Sequence, residues 1–321
     1  MSRVRPPYDP ELAACLETAG LASALDLGLD RIAEIRANTP SFGRPIEEIV
    51  SATGLEHVEL TVPGPEGAPE VTLSVVRRPD AAQATPCVYY IHGGGMIIGD
   101  RFLGAEAFPL WIERFGVTVV TVEYRLAPEH PHPAPVEDCY AGLAWVAEHA
   151  AELGIDAQRI LVMGGSAGGG LAAAVALLAR DRGGPHLIGQ LLLCPMLDDR
   201  DQTVSTLQYD DVLIWSRQHN VIGWTALLGD AKGTAGVSPY AAPARATDLS
   251  GLPPAFIDVG SAEVFRDEDV DYASRIWAAG GRCELHVWAG GFHGFGQFAH
   301  TTISRAAHEA VLSWMSRILG S

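Results

Sequence analysis

The chain has 321 residues, of which 48% are hydrophobic and 19% charged, and this composition excludes both a peptide module and a disordered chain. Its 22 basic and 39 acidic residues give a formal net charge of −17. Such a charge repels phosphate backbones and anionic lipid headgroups, so we expect neither nucleic acid nor a membrane as a partner.

The cysteines and the apolar runs indicate the compartment. Five cysteines are scattered without a C-x-x-C pair, which predicts neither a disulfide framework nor a zinc site and favours a reducing environment. No apolar segment follows the N-terminal arginines, and the longest weakly polar run, 164–179, is too short for a membrane span. We therefore expect a cytoplasmic protein without a secretion signal.

The N-terminal part of the chain predicts helices followed by a hairpin. Residues 9–27 place apolar side chains at helical spacing behind Asp9, a residue type that caps helices, and the composition stays helical to Arg44. From Glu56 the period changes to two. The segments EHVELTV and EVTLSVV flank the turn-forming PGPEGAP, which predicts an antiparallel pair of strands.

After Pro86, short apolar runs alternate with helix-compatible segments, which predicts a parallel sheet wound by helical crossovers. Residues 203–230 interrupt this alternation with two aromatic-rich helical patterns, and we interpret them as an insertion over one end of the sheet. The predicted strands are CVYYI, VTVVTV, RILVM, IGQLLLC, PAFIDV and CELHVW, and the predicted helices include 136–150, 167–182 and 270–280. Without repeats or low-complexity linkers, one folding unit is expected.

The pentapeptide 164–168, GGSAG, matches G-x-S-x-G between the strand RILVM and an alanine-rich helix. A strand that reverses sharply into a helix needs small residues around the serine, and the turn presents the Ser166 hydroxyl above the sheet. A glycine-rich turn with an idle serine is the alternative interpretation. The strand, motif and helix together favour a nucleophile.

A second motif, His92-Gly93-Gly94-Gly95, directly follows the strand CVYYI. Acyl transfer builds an oxyanion that needs N–H donors about 3 Å away, and only residues without side chains let the backbone approach so closely. A loop that needs positive φ and a phosphate cradle are alternatives, although no G-K-[ST] or G-x-G-x-x-G pattern supports the latter. The predicted oxyanion donors are the amides of Gly93, Gly94, Gly95 and Ala167.

The serine requires a base, and enzymes with this strand-turn-helix nucleophile carry the acid and the base later in the chain. His293 lies in the loop GGFHGF directly after the last predicted strand, where catalytic groups are expected, and we predict that it is the base. His286 within that strand, and His300 and His308 on or beside the terminal helix, have structural explanations.

The predicted orienting carboxylate is Glu263, which follows the strand PAFIDVG. Asp267 is its rival in the same loop, and Asp198 and Asp199 after IGQLLLCPM form a second possible position. The acidic residues 267–271 are expected to form the solvated first turn of the next helix.

Together these residues resemble the hormone-sensitive-lipase-like (bacterial family IV) carboxylesterases of the α/β-hydrolase superfamily, whose marks are H-G-G-G and G-D-S-A-G-G. The likeness spans roughly 88–295, and the segment 124–131, YRLAPEHP, looks like the Y-R-L-A-P-E-x-x-[FY]-P-A segment of that family. Gly165 and Glu263 stand where the family usually has Asp. Neither departure removes a catalytic function.

This resemblance implies an α/β-hydrolase fold, with a mostly parallel central sheet flanked by helices and a helical cap. The cap corresponds to residues 1–45 and to the insertion 200–232, and the core to residues 46–199 and 233–321. Apolar cap residues are predicted to line the substrate pocket, although ordinary packing explains each of them equally well. These residues are Phe102, Leu207, Tyr209, Leu213, Ile214, Trp215 and Trp224.

The implied activity is hydrolysis of short- to medium-chain carboxylic esters through an acyl-enzyme, without a cofactor or a metal. His130 and His132, spaced H-x-H, are expected to be scaffold rather than metal ligands. A lactonase, an amidase or an aryl-ester hydrolase would use the same triad, and a ligand-binding protein without catalysis would keep only the fold. Relatives of this type often form homodimers, so pairing of two copies is also expected.

Overall fold

A mixed sheet of eight strands forms the centre of the protein, in a computed structural model that describes residues 4–18, 27–38, 43–81, 84–210 and 214–320. The strands are β1 Glu56–Val62, β2 Val71–Arg77, β3 Thr85–Ile91, β4 Thr118–Glu123, β5 Ile155–Gly165, β6 Gly189–Leu193, β7 Ala255–Gly260 and β8 Cys283–Trp288. Their order is β1-β2-β4-β3-β5-β6-β7-β8. β1 pairs antiparallel with β2, and β2 with β4, whereas the other neighbours are parallel.

Helices cover both faces of this sheet. They are α1 Pro10–Thr18, α2 Ile32–Asn38, α3 Ile46–Thr53, α4 Phe108–Phe115, α5 Ala134–Glu148, α6 Ala167–Arg182, α7 Val204–Gln208, α8 Arg217–Leu228, α9 Arg266–Ala278 and α10 Thr302–Leu319. Strand β3 shows how the two cores form, because its side chains alternate between the faces. Tyr89 lies in the core with α5, α6 and α9, and Tyr90 in the core with α3, α4 and α10.

The elements predicted from periodicity are present in the described residues. The hairpin forms between β1 and β2, all six later apolar runs are strands, and the insertion contains α7 and α8. Asp9 caps α1 as expected, since its Oδ1 accepts hydrogen bonds from the amides of Glu11 and Leu12 at 2.9 and 3.2 Å. Of the predicted N-terminal helical layer, residues 19–26 and 39–42 lie outside the described residues.

In this arrangement, the carboxyl ends of β5, β7 and β8 lie at one edge of the sheet, and the residues that follow them meet there. Among the described helices, none has both the length and the apolar character needed to cross a membrane. The division of the chain into cap and core segments stays a prediction.

Candidate active site

Ser166 occupies the sharp turn between β5 and α6, with φ +57° and ψ −124°. The turn is fixed on the side of β6, because the Ser166 amide donates to the Leu193 carbonyl at 2.7 Å and the Ser166 carbonyl accepts from the Met196 amide at 2.9 Å. Gly168 must lack a side chain, since a Cβ there would lie 2.1 Å from the Ile91 carbonyl oxygen. The small residues of the motif thus allow the helix to begin directly against β3.

His293 joins Ser166 to Glu263. Its Nε2 lies 3.0 Å from the Ser166 Oγ, and its Nδ1 lies 2.6 Å from the Glu263 Oε2. The second carboxylate oxygen of Glu263 accepts a hydrogen bond from the Gly260 amide at 3.1 Å. Glu263 is 1% exposed and His293 9%, so little water competes for these hydrogen bonds. With the Nδ1 proton directed at the carboxylate, Nε2 is free to accept the serine proton.

The glycine loop lies directly beside the nucleophile. A Cβ on Gly93 would lie 3.4 Å from the Ser166 Cβ and 2.9 Å from the Gly165 carbonyl oxygen, so only glycine allows this approach. Gly94 and Gly95 have φ of +104° and +63°, which turn the loop back towards Ile98. The structure therefore brings Gly93, the first predicted donor of this loop, next to Ser166, while Ala167 provides the first amide of α6.

Two neighbouring segments hold the glycine loop in place. The Ala127 amide donates to the Met96 carbonyl at 2.9 Å. Arg36 of α2 donates to the carbonyls of Ile97 and Ala127 at 2.7 and 2.6 Å, and it forms a salt bridge with Glu129 at 2.8 Å. The N-terminal helix α2 is thereby attached to the loop that carries the predicted oxyanion donors.

The rival carboxylates have other partners. Asp267 accepts a hydrogen bond from the Ser205 amide at 2.7 Å and pairs with Arg266. Asp198 pairs with Arg200, and Asp199 is fully buried against Arg245 at 2.7 Å. The two aspartates after β6 are thus buried in ion pairs with arginines.

The rival histidines also lie apart from Ser166. His286 contacts Glu284 at 3.0 Å, and His300 contacts Cys15 at 3.2 Å. His308 belongs to α10. The His132 amide donates to the Leu227 carbonyl, which attaches the H-x-H loop to α8.

Comparisons with known proteins agree with this geometry. A family model described as the alpha/beta hydrolase fold matches residues 88–297. The chain belongs to the α/β-hydrolases. It is 36% identical to carboxylesterase NlhH of Mycobacterium tuberculosis, over 92% of this chain and 91% of that protein, and 34% identical to esterase LipI of the same organism, over 92% and 90%.

A solved structure of a bacterial heroin esterase is 38% identical, with a TM-score of 0.86 and 98% of both chains covered. These matches confirm the predicted α/β-hydrolase fold and the resemblance to the hormone-sensitive-lipase-like branch. They also confirm the predicted enzyme class, since the similar proteins are named esterases and carboxylesterases.

In this α/β-hydrolase, a cavity borders the His293 side of the triad. It contains about 240 Å³ of space between protein atoms, counted with its open mouth. Ile214 and Trp215, both predicted pocket residues, line it together with Glu263 and His293. Trp215 also covers the glycine loop, because a Cβ on Gly95 would lie 2.3 Å from its indole. Trp215 is therefore placed between the predicted oxyanion donors and the base.

Four other predicted pocket residues do not line this cavity. The Phe102 ring meets His57 edge-on at 5.6 Å and packs with the core on the α4 side of the sheet. Tyr209 is fully buried and donates to the Pro6 carbonyl at 3.0 Å, and Leu207 is half-buried on α7. Trp224 is likewise fully buried in the main core. Leu213 lies outside the described residues.

The sequence analysis missed the contribution of the N-terminal segment to this cavity. Tyr8 and Leu16 line it, and the Tyr8 ring packs edge-on against Phe292 at 5.5 Å. The Asp9 amide donates to the Gly290 carbonyl at 3.0 Å, so α1 is fixed on the loop that carries His293. The spacing of Leu12 and Leu16 indicates an apolar helix face, but a sequence does not show which loop that face covers.

The expectation that the first turn of α9 is solvated is wrong for two residues. Glu268 is 3% exposed because its carboxylate accepts from the amides of Leu197 and Asp198 at 2.8 and 3.1 Å. Asp269 is fully buried, and neither of its oxygens has a hydrogen-bond partner in the described part of the chain. Burial, with the neighbouring carboxylates Glu268 and Glu263, raises the pKa of Asp269 well above its usual value.

Asp258 at the end of β7 belongs to the same acidic region. Burial, reinforced by Glu263, raises the pKa of Asp258 from 3.8 to about 7, although Trp288 Nε1 donates to it at 3.2 Å. The folded protein therefore keeps a proton that the unfolded chain loses. This contribution to stability is fully present below about pH 4 and is lost as the pH rises through about 7.

Asp258→Asn is expected to stabilise the protein at alkaline but not at acidic pH. Near pH 8 the free energy of unfolding should rise by roughly 2–4 kcal/mol, because the buried charge is removed, whereas near pH 4 it should hardly change. Urea unfolding at both pH values measures the difference. Asp271→Asn, at an exposed position on α9, is the control. An equal effect of Asp258→Asn at both pH values would contradict the raised pKa.

Proposed function

We propose that this protein is a serine carboxylesterase that hydrolyses short- to medium-chain carboxylic esters through an acyl-enzyme intermediate. The observation that carries the proposal is the chain of contacts from Ser166 through His293 to Glu263, at 3.0 and 2.6 Å. This chain lies beside a glycine loop whose backbone approaches the serine. Similarity to carboxylesterase NlhH and esterase LipI supports the same activity.

In the acylation step, the Ser166 Oγ attacks the ester carbonyl carbon while His293 Nε2 accepts the hydroxyl proton. Glu263 holds the imidazole in the required tautomer and stabilises the imidazolium that forms. The amides of the glycine loop and of Ala167 donate to the oxyanion of the tetrahedral intermediate. His293 then gives its proton to the leaving alcohol. A water molecule repeats the sequence on the acyl-enzyme and releases the acid.

The cavity beside His293 favours small acyl groups. Its enclosed part has a volume of only about 10 Å³, which is room for about one water molecule. Ile214 and Trp215 make its wall apolar, and Trp215 closes it towards the glycine loop. We therefore expect the preferred substrates to be esters with short acyl chains.

A series of p-nitrophenyl esters from acetate to dodecanoate tests this function. We expect the highest kcat/KM between acetate and butyrate, and Trp215→Ala should move the optimum to longer chains, with a change of roughly ten-fold or more in the ratio of decanoate to acetate. Phe102→Ala is the matched control, because this aromatic residue lies away from the cavity.

The same assay separates the alternatives. Hydrolysis of a lactone or an arylamide without turnover of any p-nitrophenyl ester would contradict the carboxylesterase function. It would still support catalysis by the proposed triad. Saturable binding of these esters without turnover would indicate a ligand-binding protein. A solved neighbour is named a heroin esterase, so acetylated phenols of larger size belong in the series as candidates for an aryl-ester hydrolase.

We also propose a cytoplasmic location and pairing of two copies of the chain. All five cysteines are free, which supports a reducing compartment such as the cytoplasm. For pairing of two copies, the edge strand β8 is available, and its Val287 is 43% exposed. Light scattering of the purified protein determines the number of copies.

A further inference from the structure

Cys194 lies directly behind the triad and takes no part in the proposed reaction. It follows β6 in a backbone conformation with φ +38°, and its amide donates to the Asp258 carbonyl at 2.7 Å. Its thiol is free, and the residue is half-buried. This conformation, unusual for a residue with a side chain, holds the thiol beside Glu263 and His293.

The three side chains present the donor atoms of a metal site. The Cys194 sulfur, one ring nitrogen of His293 and one carboxylate oxygen of Glu263 all lie within 4.8 Å of one another. Tetrahedral coordination, with bonds of about 2.0–2.3 Å, requires distances of roughly 3.3–3.7 Å between donors. Because Nδ1 of His293 and the Glu263 oxygen are only 2.6 Å apart, the Glu263 carboxylate must move away from the imidazole, and the cysteine side chain must rotate, before these donors surround one ion.

The surroundings favour a cation at this position. Asp258 and Asp269 are buried nearby and act electrostatically on both Cys194 and Glu263. Both oxygens of Asp269 lack a hydrogen-bond partner among the described residues, so no described group compensates for its burial by a hydrogen bond. A divalent ion bound here would stabilise the ionised forms of these buried carboxyls, and its ligand set would be one sulfur, one nitrogen and one oxygen.

We propose that Cys194, Glu263 and His293 bind a thiophilic divalent cation such as Zn²⁺ or Cd²⁺, and that its binding inhibits the enzyme. The inhibition rests on the proposed function, whereas the binding does not. An ion on the Nδ1 of His293 separates the base from Glu263, and an ion on Nε2 separates it from Ser166. In either case the imidazole no longer accepts the serine proton.

Binding of the ion releases or moves protons and transfers no electrons. The thiol proton of Cys194 is released to solvent when the sulfur–metal bond forms, and the ion loses water molecules. If Nδ1 is the ligand atom, its proton moves to Nε2, which then can no longer accept the serine proton. A chelator that removes the ion restores the starting state, so the inhibition is reversible.

Zinc inhibition of ester hydrolysis provides the first test. Zn²⁺ at micromolar concentration should inhibit the wild type, with recovery on addition of EDTA, and Cys194→Ser should need roughly 10–100-fold more zinc for half inhibition. Cys15→Ser is the matched control, because Cys15 also lies beside an imidazole, with its sulfur 3.2 Å from His300 Nε2. Equal inhibition of Cys194→Ser and wild type, or loss of inhibition in Cys15→Ser alone, would overturn the proposal.

Cadmium binding provides a second test that is independent of turnover. Ser166→Ala should show an ultraviolet charge-transfer absorption from thiolate to Cd²⁺ that saturates at one equivalent. Adding Cys194→Ala should remove this absorption, whereas adding Cys15→Ser should leave it. If the wild type hydrolyses no ester but Ser166→Ala binds Cd²⁺ through Cys194, the proposed function fails and the metal site stands. An absorption unchanged by Cys194→Ala, or no absorption at all, would overturn the site.

Discussion

Ser166→Ala is expected to lower kcat for p-nitrophenyl butyrate by about 10⁶-fold with little change in KM, because only the attacking atom is removed. Alanine keeps the Cβ that lies beside Gly93, so the turn between β5 and α6 should keep its shape. The residual rate should still exceed the rate in water by about 10³–10⁴, since the glycine-loop amides continue to stabilise the oxyanion.

Steady-state kinetics and covalent labelling together test whether Ser166 is the nucleophile. A fluorophosphonate should label one serine in the wild type, which peptide mass mapping locates at Ser166, and it should label none in Ser166→Ala. Ser313→Ala, at an exposed position on α10, controls for changes unrelated to the nucleophile. Activity of Ser166→Ala above about one hundredth of the wild-type rate would mean that another residue attacks the ester.

The residues near Ser166 were predictable from the sequence because the constraint on them is local. A strand that turns directly into a helix against a neighbouring strand leaves no space for side chains at Gly164 and Gly168. Glu263 and His293 are 30 residues apart, yet each follows a strand, and β7 and β8 are adjacent and parallel. The order of strands and motifs was therefore sufficient to predict which residues meet.

The pocket was less predictable, since aromatic composition does not determine the face on which a side chain lies. Trp215 and Phe102 are both large aromatic residues near predicted loops, but only Trp215 lines the cavity. Tyr8 reaches the cavity because α1 crosses the loop around Phe292, a contact between the two ends of the chain. Such a contact has no signal in a local pattern.

The acidic start of α9 shows how tertiary contacts override a local rule. Carboxylates in the first turn of a helix are normally solvated and favoured by the helix dipole. Glu268 instead accepts hydrogen bonds from two amides that follow β6, and this contact draws the helix end into the protein. Asp269, the next residue, is also fully buried. The local pattern at the start of α9 shows these acidic residues, but it does not show which distant residues bury them.

Glu263→Gln is expected to lower kcat by about 10⁴-fold, because the amide imposes the wrong tautomer on His293. In the wild type, one Glu263 oxygen accepts from the Gly260 amide and the other faces His293 Nδ1. Glutamine can keep only one oxygen, and the Gly260 N–H selects it, since two donors repel each other. The NH₂ group then faces Nδ1 and donates to it, which places the imidazole proton on Nε2, where a base must be unprotonated.

Two further variants separate the effect of the negative charge from the effects of side-chain length and of position in the loop. Glu263→Asp keeps the charge on a shorter arm and should lose roughly 10–100-fold, because the 2.6 Å contact with His293 lengthens. Asp267→Asn, in the same loop, should stay within about two-fold of the wild type, since Asp267 pairs with Ser205 and Arg266 instead. If Asp267→Asn abolishes activity while Glu263→Gln retains it, and both variants unfold at the wild-type temperature, then Asp267 and not Glu263 orients the base.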